Sequence, residues 1–410
     1  MAKVSEKISE DTRSPLRRLF TSRSFVALFI SNTLGFGGEQ MRLAAQSWWI
    51  LGEGGSKTEM GLAAGLRIFP VLIIGLYAGV MVDRYGGKRI LIVERGSLIF
   101  LALVTASILL FDQVQIWHVI VLSTIAGATI ALGTPATQTL VPAIVPKDLL
   151  HSANSLNQIG LALGRTLGPL LAGVLIAVRS AALALFGLAA VYVAALVTTF
   201  GITAKHEPTS SSDSAIRQTI DGLSHIRQNP VLVWTLFSAL ATIFYGMFFP
   251  IIPVYARDVL EVGEVKFGWM WGAVAMGEAT AALAIVSRGG FQRKSIGMMV
   301  GAGVFSLGLI GFGLSETYWL SLVLLFVTGL GFPLVITAWI TLLQTHSAPE
   351  YRGRVLAVYA ITMQSVSIGW ILGGALLDLI GNFPTVLVSV GGGTAIMALA
   401  MIASRDFRRA

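Results

Sequence analysis

The chain is predicted to be an all-α membrane protein, twelve transmembrane helices arranged as two pseudo-symmetric six-helix bundles. Three observations predict it. Of 410 residues, 55% are hydrophobic and only 12% are charged, too little polar surface to cover a soluble globule of this size. The apolar residues fall into runs of roughly 20 or more, and at ~1.5 Å per residue each run crosses a ~30 Å hydrocarbon layer. Short polar turns separate the runs, and the basic residues crowd into alternate turns.

Taken in order, the expected spans are about 24–52, 58–82, 89–111, 115–141, 149–177 and 181–203, then 230–257, 266–288, 295–314, 317–345, 354–379 and 383–404. The first begins near Phe25, exceeds a signal-peptide core and carries Glu39 and Arg42, so it is read as a retained helix. Between the sixth and seventh spans, AKHEPTSSSDSAIRQTIDGLSHIRQN starts as a Ser/Thr/Asp-rich linker. It continues with Ile216, Ile220, Leu223 and Ile226 at helical spacing, an amphipathic helix lying on the membrane or the bundle. The expected division is therefore 1–203, a linker over 204–229, and 230–410.

The formal charge of +8 has a topological reading. With both termini on one side, the opposite side holds only Lys57, Arg179, Arg257 and Lys266 among loop cations. This places both termini in the cytoplasm and assigns the charge to topology and anionic lipid, not to nucleic acid. Without cysteine, disulfides and thiolate metal sites are impossible. The five histidines are scattered, and neither a nucleophile elbow nor a GxxxxGK[ST] phosphate loop is present, which leaves an enzyme or an ATP-driven pump unsupported. No cofactor is expected beyond a proton gradient as energy source.

The halves echo each other. Gly164 and Gly168 stand four apart in the fifth span, and a shift of 205 residues lands on Gly369 and Gly373 in the eleventh. Small residues at this spacing let helices approach closely, and duplicated halves around one cleft suit a midplane site exposed alternately to each side.

Four stretches carry a family resemblance. Between the second and third spans stand Gly79, Asp83, Arg84 and Gly86, followed by Lys88 and Arg89. This turn resembles the signature of major facilitator superfamily transporters. In the fifth span, Gly160, Gly164, Arg165, Gly168, Pro169 and Gly173 resemble the motif that the superfamily associates with antiporting exporters. GTPATQTLVPAIVPKDLLHSANSLN and APEYRGRVLAVY are similar to connections of the enterobactin-exporter and macrolide-efflux branch. The resemblance implies a secondary exporter of amphiphilic small molecules, of drug, siderophore or lysolipid type, working by proton antiport as a monomer among membrane lipids. A proton-coupled uptake symporter and a passive lipid or solute facilitator are the alternatives. The chain departs from the pattern at Gly87, where the superfamily usually has a basic residue, and in the fourth span, which lacks the arginine motif of many proton-coupled drug exporters. In the second half the matching turn, Ser287-Arg288-Gly289-Gly290, lacks the aspartate.

Ionisable groups inside a bilayer are costly and need a partner or water. Counted along their helices, Glu39, Arg67 and Arg165 each lie 16 residues from the cytoplasmic face, so three helices bring charge to one level. Arg42 and Gln46 extend a polar stripe from Glu39. Glu39 is either an exchangeable carboxylate, responding to a proton or a cationic substrate, or half of a structural i,i+3 pair with Arg42. Arg67 and Arg165 are read either as contacts for an anionic group or as structural partners. Glu278, with no cation evident at its level, is the second proton-coupling candidate. Asp83 is read as a gate that holds neighbouring helices in an outward-open state, with Glu94 and Arg95 completing its cluster. Gln158, Tyr245 and Phe249 join the cleft candidates, and Trp48, Trp49, Tyr77, Phe244, Phe248 and Tyr255 are aromatics for cleft or lipid. Pro250 and Pro253 mark a bend in the seventh span.

Overall fold

A computed structural model describes residues 15–111, 114–204, 215–288 and 293–409. Among them, eleven helical stretches are long and apolar enough to cross a membrane. The 30-residue helix Arg23–Gly52 is not among the eleven, because its middle carries Glu39, Gln40, Arg42 and Gln46. It packs against the fifth and sixth helices and completes the first bundle of six.

Prolines decide where the helices break. The second span divides into Lys57–Gly65 and Ile68–Tyr85. Pro70 has no N–H to give the Leu66 carbonyl, which accepts from Phe69 N instead, and the turn Leu66–Arg67 opens. The seventh span runs as Pro230–Ala239, Thr242–Gly246 and Phe248–Val254, then a π turn over Tyr255–Val259. Its break at Met247 lies one turn before Pro250, whose missing N–H would have bonded Gly246. The eleventh span, expected to be continuous, is split into Arg352–Met363 and Val366–Leu379.

Glycine sets the closeness of the helices. Gly164 packs against the backbone of Gly37 in the first helix, and Gly369 packs against Ile243 and Gly246 in the seventh. The fifth helix thus meets the first as the eleventh meets the seventh, and both contacts are backbone to backbone. A methyl group on Gly369 would stand 2.0 Å from the Ile243 carbonyl oxygen, so Gly369→Ala is expected to cost ~1–3 kcal/mol by overpacking. Thermal unfolding in detergent followed by tryptophan fluorescence checks this. Gly303→Ala, which meets nothing within 4 Å, is the matched control.

The halves join along two helix pairs, fifth with eighth and second with eleventh. Outside, the helices present apolar side chains such as Phe100, Leu283, Val286 and Ile402, as a lipid-facing surface does. Tyr77, an aromatic weighed for cleft or lipid, is 65% exposed. The linker's first part, 205–214, lies outside the described residues. Its second part is the helix Ala215–Arg227, which packs on Arg352–Met363, with Asp221 paired to Arg354 at 3.2 Å and His225 stacked on Tyr351.

Candidate functional site

A cavity of about 680 Å³ runs from Glu39 and Arg67, deep in the first bundle, to Pro142 and Leu150 at the end that carries Arg84, Lys88 and Arg89. We call this the basic end. Three helices furnish the walls through polar residues at helical spacing: Asn32, Glu39 and Gln40 on the first, Thr134, Thr137 and Gln138 on the fourth, and Asn154, Asn157 and Gln158 on the fifth. Of this group, only Glu39 and Gln158 are named from the sequence. Polar residues recurring every three to four positions in apolar helices were the available signal.

Glu39, 6% exposed, closes the deep end. Arg42 grips it with two bonds, Nε to Oε2 at 3.0 Å and Nη2 to Oε1 at 2.7 Å, and a bond from Arg67 Nη1 also reaches Oε1. The i,i+3 pair anticipated as the structural alternative is therefore present, with a second guanidinium added. The other Arg42 nitrogen, Nη1, donates to Gln46 Oε1 at 2.6 Å and to Ser123 Oγ at 3.0 Å, which anchors the network to the fourth helix. Arg42 and Gln46 lie behind the cavity and do not line it. Arg67 sits in the open turn of the second span, where Gly127 of the fourth helix leaves room for its backbone. Its guanidinium lies 4.8 Å from the centre of the Trp370 ring. Trp370 belongs to the other half and stacks with Phe249, which in turn touches Trp271. Arg67 thus connects the buried carboxylate of one half to the aromatic group of the other.

Arg165 and Glu278 correct an expectation. Glu278 was read as having no cation at its level, but Arg165 Nη1 donates to it across the junction of the halves. Counting residues along each helix separately ignores the crossing of the fifth and eighth helices and the reach of an arginine side chain. The glycines explain the approach: Gly173 packs on Glu264 and Gly268, Gly268 packs on Pro169, and Gly164 and Gly168 seat the same helix on the first. Arg165 does not line the cavity. Nor does Tyr245, a cleft candidate: it is buried, 4.7 Å from Phe305, with its hydroxyl donating to Met397 Sδ at 3.7 Å.

The turn motif is expected to gate the basic end when it closes, and here that end is open. Asp83 makes no ion pair or hydrogen bond among the described residues, and Glu94 and Arg95 do not complete a cluster with it; both line the cavity instead. Lys88 Nζ donates to the Phe200 and Ile202 carbonyls at 3.0 and 2.6 Å, tying the third helix to the end of the sixth. Arg84 lies over the Tyr85 ring, Arg89 is exposed, and Gly86 makes the turn with φ +87°. Gly87 replaces the usual basic residue because a Cβ there would stand 2.8 Å from the Ala136 carbonyl of the fourth helix. Gly79 meets nothing within 4 Å, so the basic half of the second helix stands clear there.

The far end is closed by contacts between the halves. Asp378 accepts from Thr58 N at 2.8 Å and Thr58 Oγ1 at 2.6 Å, and Lys57 Nζ bridges Asp258 and Asn382 at 3.0 and 2.9 Å. Arg257 donates to the Trp48 carbonyl, and the Trp48 ring stacks on Phe267 at 4.9 Å. At the basic end, Arg18–Asp148 lies within the first half and Asp221–Arg354 joins the connecting helix to its neighbour. One end is open and the other is sealed. Among the described residues no group of His, Asp and Glu has metal-site geometry.

Comparison with known proteins agrees with this architecture. The chain is similar to macrolide efflux protein A of Streptococcus pyogenes, 25% identical over 359 residues that cover 85% of this chain and 87% of the relative. It is also similar to the enterobactin exporter EntS of Shigella boydii serotype 4, 23% identical over 417 residues that cover 97% and 94%. Among solved structures, a bacterial homologue of the human lysosomal transporter Spinster in an inward-facing, unoccupied conformation superposes with a TM-score of 0.75. At 12% identity, covering 95% of this chain and 98% of that one, this likeness speaks for the fold alone. The family model described as Major Facilitator Superfamily matches residues 28–370. With a two-bundle helical fold and that match over most of its length, this chain belongs to the Major Facilitator Superfamily.

Proposed function

We propose that the chain exports amphiphilic small molecules of drug, siderophore or lysolipid type from the cytoplasm, driven by protons moving inward. The observation that carries this reading is the one-sided cavity: a polar, ligand-sized space reaches Glu39 and Arg67 from the basic end and is sealed beyond them by ionic contacts between the halves. The crowding of Lys and Arg around its mouth supports a cytoplasmic mouth, with both termini on the same side. The efflux and exporter relatives favour the outward direction. In this reading residues 1–203 and 230–410 rock about the cavity as two units joined by 204–229, and a single chain among lipids is sufficient. The free Asp83 and the uncrowded Gly79 belong to the inward-open state; when the basic end closes, both come against the other half. Glu39 and Glu278, each held by arginine, are the carboxylates whose protonation would loosen the contacts of the midplane.

Reconstitution into liposomes with an imposed pH gradient tests the reading. A macrolide and a catecholate siderophore are offered as candidate substrates. Accumulation of either against its own gradient, abolished when the pH difference is collapsed, is the expected result. Movement that only equilibrates the compound would replace this reading with a passive facilitator, and accumulation in the direction of proton flow would replace it with a symporter.

A further inference from the structure

Glu94 stands apart from the other carboxylates of the membrane interior. It is 3% exposed, lies on the third helix in the cavity wall, and among the described residues its only ionic partner is its neighbour in sequence, Arg95. Adjacent residues of a helix point about 100° apart, so this pair cannot form the two parallel bonds that Arg42 makes with Glu39. Arg95 Nη1 lies 2.8 Å from both carboxylate oxygens but hydrogen-bonds Oε1; among the described residues Oε2 accepts no aligned hydrogen bond and Arg95 Nε has no acceptor. Arg95 is drawn the other way: its guanidinium lies over Gly35 of the first helix, which has no side chain to exclude it, and Nη2 donates to the Ser31 carbonyl at 3.4 Å.

The groups around the carboxylate supply no second cation. The fourth helix meets the Glu94 carboxylate with Gly133, where an added Cβ would stand 3.1 Å from Oε1. The sixth helix contributes Tyr192, whose buried hydroxyl also has no hydrogen-bond partner. From the first helix the facing group is Glu39, a like charge whose partners Arg42 and Arg67 are already engaged with it. A buried carboxylate with a single, poorly aligned cation, one oxygen that accepts no aligned hydrogen bond and a polar cavity beside it is a proton acceptor by geometry.

We propose that Glu94 is a proton-binding carboxylate of this transporter, taking a proton at Oε2 from the cavity while the basic end is open. Protonation turns the carboxylate into a neutral acid whose new O–H is a donor, and Arg95 keeps its charge on the Ser31 carbonyl. The role in coupling rests on the proton-driven reading above; the protonation itself does not.

Infrared difference spectroscopy of the purified full chain, titrated from alkaline to acid pH in detergent, separates the two. The carboxylic C=O band that grows on acidification is expected to lose intensity in Glu94→Gln and to persist in Glu39→Gln and Glu278→Gln. Glu94→Asp, which keeps a carboxyl group, is expected to retain the band at a displaced frequency, so a failure of Glu94→Gln to fold does not remove the test. A band unchanged in position and intensity in both Glu94 variants overturns the assignment. Absence of proton-driven transport in wild type would overturn the coupling reading and leave the infrared assignment standing.

Discussion

Glu39→Gln is expected to be the most destabilising conservative change in the membrane interior, costing about 3–5 kcal/mol, because it strips two buried guanidinium groups of their shared counter-charge. Arg42 loses both of its ionic bonds and keeps only Gln46 and Ser123, and Arg67 keeps only the face of Trp370. Adding Arg67→Gln removes one of the stranded charges, so the double variant should recover part of the loss, a coupling of roughly 1–3 kcal/mol between contacting residues. Thermal unfolding in detergent of wild type, both single variants and the double completes the cycle. Additive losses would mean that Arg67 does not feel the Glu39 charge and that the network is not a unit.

Reversal of charge at the junction of the halves is the second large effect. Glu278→Arg places two guanidinium groups where one ion pair now holds the fifth helix to the eighth. The repulsion acts against the sealed far end, where Thr58 meets Asp378. Because the chain has no cysteine, Thr58→Cys with Asp378→Cys gives a cross-linking reporter without background. Glu278→Arg is expected to slow that cross-link by roughly tenfold, equivalent to about 1.4 kcal/mol in the equilibrium between states. Adding Arg165→Glu should restore the rate by re-forming the pair with exchanged signs. If the reversed pair cross-links at the wild-type rate in both variants, the bridge carries no conformational weight.

Much of this molecule was legible in its residues. The two-bundle class follows from apolar runs and alternate basic turns, since a bilayer admits only segments that satisfy their own backbone hydrogen bonds, and runs of about 20 residues cross it as helices. Glycines at 164, 168, 369 and 373 announced the close helix contacts, and the proline at 250 announced the broken seventh helix. The site was less legible. Glu39, Arg67 and Gln158 line the cavity as polar residues deep in apolar helices would suggest. Tyr245 does not, because aromatic content alone cannot distinguish a packed ring from a cavity wall. Glu94 and Arg95 were assigned to the turn motif by their nearness in sequence to Asp83, whereas helix rotation turns them into the cavity.

What the sequence determined by itself was local: which segments prefer lipid to water, which end carries the positive charge, and where a backbone must bend because proline lacks a donor or glycine lacks a side chain. Each depends on residues close together in the chain. What only the tertiary structure decided was pairing across distance. Arg67 meets Glu39 and Trp370, Arg165 meets Glu278, and Asp83 has no ion pair or hydrogen bond among the described residues, because partners are chosen by how helices cross and by which end of the bundle is open. Helix crossing is a property of whole packed faces, and no count along a single helix contains it.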